Sequence, residues 1–258
     1  MSGLIDALID ARRTGMPLTD ASALLPSSLA EAYALQDAHL ATLASEYGGA
    51  IAGYKIGGTN PAMLNMLGLD EPFHCAMPAA FVHPVPADLP AKAFSPSLIE
   101  VEIGFRFAAA LPPREHPYDA AEIADAIECA LPAIEIVAAR AAVPTGPNAR
   151  LIIADLASFG ALIHGAPVTD WRKIDLKTLP TKLIRDGAEV AAGSGAAVMG
   201  DPFATLCRFI ETHRARGRGI AAGQIVTSGT TIPPNPQTGP ATLRADLGPL
   251  GSVSLTLA

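Results

Sequence analysis

The chain has 258 residues, half of them hydrophobic and 17% charged, and its 25 acidic and 18 basic side chains give a formal net charge of −7. Such a chain is too apolar for intrinsic disorder and long enough to bury a large core. Its acidic balance, without a clustered basic surface, argues against a nucleic acid as partner.

Neither the cysteines nor the N-terminal segment indicates export or a membrane. The three cysteines are odd in number and widely spaced, so we expect no disulfide framework and no zinc ribbon. Acidic residues lie inside the first apolar stretch, and Arg12 and Arg13 follow it, which is the reverse of a secretory signal. No apolar run reaches the roughly 18 to 20 residues that a membrane helix needs. We therefore expect a cytoplasmic protein without a membrane partner.

The first fifty residues predict helices. Apolar side chains recur at helix spacing up to Gly15, where the first helix is expected to end. Ser28 and Glu31 have the spacing of a capping box, and an apolar stripe continues from there to Gly48. Residues 1–50 are therefore expected to form an N-terminal helical region.

The rest of the chain predicts many short strands, because short apolar runs alternate with proline and glycine. Two helices are expected among them. One covers residues 119–131, and the other runs from Asp201 to about Arg216 with Pro202 at its first position. No linker divides this part, so residues 51–258 are expected to form a single structural unit.

Carboxylates occur on two of the expected strands in a pattern that is unusual for a core. Glu100 and Glu102 point to one face of an extended strand, which alone is also typical of a strand with one solvent-exposed face. Glu135, however, lies inside a nearly pure apolar strand, where a carboxylate is costly unless it is protonated, paired or bound to a metal. Three carboxylates without nearby histidine or cysteine favour Mg²⁺, or Mn²⁺ or Ca²⁺, over zinc.

Five motifs follow one another along the chain, at residues 53–60, 99–103, 131–135, 154–158 and 200–202. Together they resemble the 2-keto-4-pentenoate hydratase and 4-oxalocrotonate decarboxylase group of the fumarylacetoacetate hydrolase superfamily, and the likeness extends over essentially the whole chain. The resemblance implies an α+β fold with a mixed β-roll or barrel core beside the N-terminal helical region. It also implies a homo-oligomer.

The resemblance further implies the residues of the site. Lys55 falls on the active-site lysine of this group. The implied ligands of a divalent metal, Mg²⁺ with Mn²⁺ as the alternative, are Glu100, Glu102 and Glu135, and these act with Lys55 as the catalytic residues. The implied substrate-binding residues are Lys55, Asp155, Ser158 and Ser228.

One departure from the group concerns the acid that relatives are thought to use with the lysine in proton transfer. That position is Ala80 here, and no acid is near it in the sequence. Lys55 is then the main candidate for proton transfer, and His74 and His83, which flank the altered segment, are the other candidates.

These observations predict a Mg²⁺-dependent lyase, a hydratase that adds water to a short 2-hydroxy-2,4-dienoic or 2-oxo-4-enoic acid in the catabolism of aromatic compounds. A decarboxylase of the 4-oxalocrotonate type is the alternative. An acylpyruvate C–C hydrolase remains open, as does a non-catalytic protein that binds a 2-oxo acid or supports a paired hydratase or decarboxylase in a complex. We expect Arg106, Arg150 and residues 233–236 to read the tail of the substrate, including any second carboxylate.

Overall fold

The computed structural model describes residues 2–258, and within them the chain folds into helices and two β-sheets. The α-helices are α1 (Ser2–Thr14), α2 (Leu29–Tyr47), α3 (Pro61–Leu67), α4 (Ala120–Ala126), α5 (Ala149–Ala154) and α6 (Pro202–Ala215). The strands are β1 (Ile51–Gly57), β2 (Phe73–Pro78), β3 (Val82–Pro84), β4 (Ala87–Leu89), β5 (Ser97–Phe107), β6 (Ile127–Val137), β7 (Phe159–His164), β8 (Pro180–Arg185), β9 (Ala188–Ser194), β10 (Ile225–Thr230), β11 (Asn235–Gln237), β12 (Ala241–Asp246) and β13 (Ser252–Leu257).

The N-terminal helices begin and end where the sequence predicts. Ser28 caps α2, since its hydroxyl accepts a hydrogen bond from the Glu31 backbone N–H at 3.1 Å. Only this half of the capping box forms, because the Glu31 carboxylate accepts from the Ser27 backbone N–H at 2.7 Å instead. None of the helices in residues 2–258 is both long enough and apolar enough to cross a membrane. The division of the chain at residue 50 into two regions stays a prediction.

The strands form one large, curled sheet and one smaller sheet. The larger sheet has the order β2-β1-β10-β5-β6-β7-β3, with β11 also paired to β5, and the smaller one has the order β4-β13-β12-β8-β9. Apolar residues of both sheets form a shared core, among them Ile99, Val101 and Ile134 from the larger sheet and Leu243 and Leu255 from the smaller. Since Ile99 and Val101 point into this core, their neighbours Glu100 and Glu102 point to the opposite face.

That opposite face of the larger sheet packs against the helices α1, α2 and α5. Its apolar side chains and those of the helices form a second core, which includes Ile9, Leu43, Met77, Leu131 and Phe159. The mixed fold with an N-terminal helical layer therefore agrees with the α+β architecture expected from the sequence.

One of the predicted helices is wrong over its last five residues. The helix expected over residues 119–131 ends at Ala126, and β6 begins at the next residue. The backbone of β5 is eleven residues long and needs a partner along its whole length, so that residues 127–137 pair with it from Phe107 to Leu98. Apolar side chains at 123, 127, 130 and 131 suit a helix face as well as a strand that is buried on both faces.

Candidate active site

Three carboxylates lie side by side on the two central strands of the larger sheet. Glu100 of β5 is directly opposite Glu135 of β6, and Glu102 is the next residue on the same face of β5. One carboxylate oxygen from each lies within 4.8 Å of the others. Glu102 and Glu135 are 0% exposed and Glu100 is half-buried, so the interpretation of this strand as solvent-facing is wrong.

The ammonium group of Lys55 completes this cluster. Lys55 lies on β1 and is 3% exposed. Although β10 and β5 separate β1 from β6 in the sheet, the Lys55 Nζ lies 2.8 Å from Glu135 Oε1. The curled sheet thus brings together four residues that are up to 80 positions apart in the sequence.

Burial and mutual repulsion disfavour the charged form of the two fully buried carboxylates, Glu102 and Glu135. Burial raises the pKa of Glu102 well above its usual range, and the charges of Glu135 and Glu100 raise it further. Burial also raises the pKa of Glu135 to about 7, against the opposing effect of Lys55. Burial alone would lower the pKa of Lys55, but the facing carboxylates of Glu135 and Glu100 outweigh it and raise the pKa. Lys55 therefore carries its proton at neutral pH.

The donor set fits a divalent cation that binds oxygen. Among the described residues, Glu102 Oε1 and Glu135 Oε2 have no hydrogen-bond donor, and Glu135 Oε1 has only the ionic contact with Lys55. Buried acceptors without a partner are costly, and a cation bound by one oxygen of each glutamate would satisfy one acceptor on each. The absence of nitrogen and sulfur ligands from the cluster suits a hard metal ion.

A cavity of about 670 Å³ opens beside Glu100. The connection from β1 to α3 with Thr59 and Asn60, the end of β9 and residues 230–234 form its walls. Of its described lining residues, Glu100 is the single charged one, and the others are apolar, glycine, hydroxyl or amide groups. The cavity thus offers a largely uncharged space next to the carboxylate cluster.

The other residues predicted to bind substrate lie deeper in the protein. Asp155 is 1% exposed and accepts a hydrogen bond from the Arg140 backbone N–H at 2.6 Å, while burial raises its pKa to about 6. Ser158 is 5% exposed. The hydroxyl of Ser228 accepts from the Ile103 N–H at 3.3 Å and donates to the Gly229 carbonyl at 3.1 Å. None of these three side chains lines the described cavity, and their role stays a prediction.

The arginines that were expected to read the substrate are elsewhere. Arg106 pairs with Glu128, with 2.8 Å between Nε and Oε2, at the far end of β5. Arg150 donates to the Ser27 carbonyl at 2.8 Å on the surface of the helical layer. Only Pro233 and Pro234 of residues 233–236 reach the described cavity wall. The expected position of the two arginines is wrong, because both are used in contacts with neighbouring elements, whereas a role of residues 233–236 in substrate binding stays a prediction.

The segment around Ala80 is also distant from the cluster. Lys55 pairs with Cys75 and Ile51 with Pro78, so that the exposed Ala80 lies beyond the far end of β2. The two flanking histidines, His74 and His83, have surroundings other than the carboxylate cluster. His74 packs against Phe209 and His213 on α6, with ring centroids 5.3 and 5.5 Å away, and His83 lies on the edge strand β3. Of the three candidates for proton transfer, Lys55 is the one that lies next to the carboxylates, and its role stays a prediction.

Known proteins resemble this chain in both sequence and fold, although no protein-family model matches it. A 2-keto-4-pentenoate hydratase from Paraburkholderia xenovorans is 28% identical over 230 residues, which are 88% of this chain and 83% of the relative. A 4-oxalocrotonate decarboxylase from Pseudomonas putida is 27% identical over 207 residues, 78% of this chain and 75% of the relative.

The solved structures give the fold. The structure of 4-oxalocrotonate decarboxylase from Pseudomonas putida G7, complexed with magnesium and adipate, has a TM-score of 0.87 at 23% identity and covers 99% of this chain and 96% of its own. A second structure of that protein is complexed with calcium and acetate. A putative fumarylacetoacetate hydrolase family protein from Yersinia pestis has a TM-score of 0.56 at 14% identity over 80% of this chain and 92% of its own. The resemblance inferred from the five motifs and the expected fold are both confirmed.

Proposed function

We propose that this chain, a homologue of 2-keto-4-pentenoate hydratases, is a Mg²⁺-dependent lyase that adds water to a short 2-hydroxy-2,4-dienoic acid or its 2-oxo-4-enoic tautomer. The observation that carries the proposal is the buried Lys55–Glu135 ion pair, 2.8 Å long, within a cluster of three carboxylates beside an open cavity. The lysine that we assign to proton transfer thus lies next to the metal ligands, and one of these ligands, Glu100, lines the cavity for the substrate.

Glu100, Glu102 and Glu135 would hold the metal ion, with Mn²⁺ as the alternative to Mg²⁺. When bound, a divalent cation acts as a Lewis acid toward the carboxylate and keto oxygens of a 2-oxo acid and stabilises the negative charge that develops on them.

Lys55 is the residue that we assign to proton transfer. Its Nζ is protonated at neutral pH, because the facing carboxylates raise its pKa despite burial. Hydration of the dienol needs a proton at the far carbon before water can add, and a positioned side chain supplies such a proton efficiently. The side chains of Lys55, Glu102 and Glu135 are almost completely buried. Their burial keeps bulk solvent away from the ammonium group of Lys55.

The charge of the cavity favours hydration over decarboxylation. A substrate of a 4-oxalocrotonate-type decarboxylase carries a second carboxylate, and burying that group without a cationic partner is costly. No lysine, arginine or histidine is among the described residues that line the cavity. A monocarboxylate with a short uncharged tail therefore suits this space better than a dicarboxylate. Decarboxylation stays the second candidate, because the decarboxylase of known structure shares the fold over 99% of this chain.

A hydrolytic reaction and a non-catalytic role have less support. An acylpyruvate C–C hydrolase needs a base that activates water, typically a His–Glu pair, and none of the described lining residues is a histidine. A protein that only binds a 2-oxo acid would use the metal ligands but would need no group for proton transfer, whereas a protonated lysine lies beside them here. Assembly into a homo-oligomer and a complex with a paired enzyme stay predictions.

The test is a comparison of two substrates in the presence of Mg²⁺. The protein is incubated with 2-hydroxypenta-2,4-dienoate and, separately, with 2-oxohex-3-enedioate, and the products are identified by NMR. We expect 4-hydroxy-2-oxopentanoate from the first substrate and little turnover of the second. Efficient release of CO₂ from the dicarboxylate without hydration of the dienoate would instead establish a decarboxylase.

A further inference from the structure

An irregularity of the sheet lies next to the metal-ligand cluster. In the pairing of β10 with β5, Thr227 is opposite Gly104 but Thr230 is opposite Glu102, so that β10 contains one extra residue. Regular contact resumes with the Thr231 N–H, which donates to the Val101 carbonyl at 2.8 Å. β-Bulges of this kind often lie beside active sites, where they redirect a side chain or a backbone group.

The bulge turns the backbone of Gly229 toward a carboxylate of the cluster. The Gly229 N–H donates to Glu102 Oε2 at 3.0 Å in a fully buried contact. Within a regular ladder this N–H would pair with a strand carbonyl or point away from the partner strand. The other oxygen of the same carboxylate, Glu102 Oε1, has no hydrogen-bond donor among the described residues.

Gly229 is held in this position from its other side by Thr59. Its φ is +94°, in the region that favours glycine, and a Cβ at this position would lie 2.0 Å from Thr59 Oγ1 and 2.7 Å from Thr59 Cγ2. Thr59 is 3% exposed, and its carbonyl accepts from the Met199 N–H at 3.0 Å. Residue 229 therefore has no room for a side chain as long as its N–H remains on Glu102.

We propose that Gly229 is a positioning residue for the metal site. Its N–H occupies Oε2 of Glu102 and fixes the plane of that carboxylate, which leaves Oε1 to the cation. The bulge and the close contact with Thr59 hold the N–H in place. This inference rests on the metal site of the proposed function and adds to it a residue that holds a ligand in place.

The experiment compares the Gly229→Ala variant with a matched glycine variant. A Cβ at residue 229 must displace either Thr59 or the N–H, so we expect Mg²⁺ binding, measured by calorimetry, to weaken by about 10- to 100-fold, the usual effect of losing a partner of a metal ligand. Gly223→Ala is the control, because Gly223 has a similar φ of +85° but no atom within 4 Å of a Cβ. We expect unchanged Mg²⁺ affinity there. Electron paramagnetic resonance of bound Mn²⁺ should also change in Gly229→Ala and not in the control.

The possible outcomes separate this inference from the proposed function. A wild-type protein that binds neither Mg²⁺ nor Mn²⁺ would overturn both. A folded Gly229→Ala variant with wild-type affinity and an unchanged Mn²⁺ spectrum would overturn only the role of Gly229. If that variant does not fold, Thr59→Ala examines the same contact, since it removes the atoms nearest Gly229. Weaker Mg²⁺ binding is expected there too, and wild-type affinity would contradict the inference.

Discussion

Lys55 has two tasks in the proposed site, as the partner of a buried carboxylate and as the carrier of a proton. Lys55→Met removes both while keeping the length of the side chain. Since general acid–base groups typically contribute 10²- to 10⁴-fold, we expect kcat to fall by about 10³-fold. The three carboxylates remain and lose a competing cation, so that Mg²⁺ should bind at least as tightly in calorimetry. Lys173→Met, at a lysine whose side chain is 78% exposed, is the control. An unchanged kcat in Lys55→Met would remove Lys55 from the mechanism.

Met63 offers a way to test the charge of the cavity. It lies on α3 and lines the cavity, whereas Met66 on the same helix is 54% exposed and does not. Met63→Arg would supply a partner for a second carboxylate, and we expect the ratio of kcat/KM for dicarboxylate over monocarboxylate to rise about tenfold, which corresponds to ~1.4 kcal/mol. Met66→Arg should leave this ratio unchanged. Equal ratios in both variants would mean that the tail of the substrate lies elsewhere.

The sequence was informative about the chemistry of single residues but not about their neighbours. Glu135 was conspicuous because a carboxylate inside an apolar strand needs a partner. That Lys55 contacts it depends on the strand order and the curl of the sheet, which no local pattern contains. The role of Gly229 could not be predicted either, because a one-residue bulge has no sequence signature apart from a glycine.

Strand β2 and helix α6 contact each other through two buried histidines, His74 and His213. His213 is 1% exposed, its two ring nitrogens have no hydrogen-bond partner among the described residues, and its ring packs edge-on against Tyr54 at 4.4 Å. Burial, together with the smaller effects of the charges of Arg218 and Arg216, lowers the pKa of His213 to about 4. Burial likewise lowers the pKa of His74 to about 3.

This interface should therefore be sensitive to acid. At pH values below about 6.5, the ordinary pKa of histidine, residue 213 is protonated in the unfolded chain but stays neutral in the folded protein. The free energy of unfolding therefore decreases as pH falls from about 6.5 to 4. One such group accounts for up to about 2 kcal/mol between pH 6.5 and 5. In urea unfolding at pH 7 and pH 5, His213→Phe should lose less stability on acidification than wild type. His116→Phe, at an exposed histidine, is the control. An identical loss in all three proteins would contradict the prediction.

Two of the predicted helices show which local sequence patterns are sufficient to predict an element. Helix α2 was predictable at both ends, because Ser28 and Gly48 are local signals that tertiary structure did not override. The helix expected over residues 119–131 failed because a run such as 127–134 is compatible with two structures. Pairing with the long strand β5 decides between them, and only the whole sheet supplies that information.

The carboxylate cluster joins the two central strands of the larger sheet. Metal binding and folding of the whole chain should therefore be coupled. A ligand that binds only the folded state stabilises it by about 2.7 kcal/mol at a concentration of 100 Kd, which corresponds to a rise in Tm of roughly 5 to 10 °C for a chain of this size. We expect such a rise with Mg²⁺, its reversal by EDTA, and its absence in Glu102→Gln. A Tm that does not respond to Mg²⁺ or EDTA would argue against a metal site in this sheet.

The general architecture was accessible from the sequence because motifs spread over the whole chain point to one known fold. The shape of the cavity was not, since its walls come from segments as distant as residues 56–63, 192–197 and 230–234. The two arginines expected to contact the substrate instead bind neighbouring elements, Arg106 through Glu128 of β6 and Arg150 through the Ser27 carbonyl. The sequence alone does not show whether an arginine faces a cavity or pairs with a neighbouring strand or helix.

Lys55 and the three carboxylates form, in this proposal, a metal-dependent hydratase site. The most direct measurement is the ultraviolet progress curve of freshly prepared 2-hydroxypenta-2,4-dienoate with the protein in Mg²⁺ and again in EDTA, with Glu102→Gln as the loss-of-ligand control. We expect loss of the dienol absorbance with Mg²⁺ only, 4-hydroxy-2-oxopentanoate as the product, and no reaction in the variant. A flat trace from folded protein that has bound Mg²⁺, or a rate that EDTA does not change, would rule out a metal-dependent hydratase site.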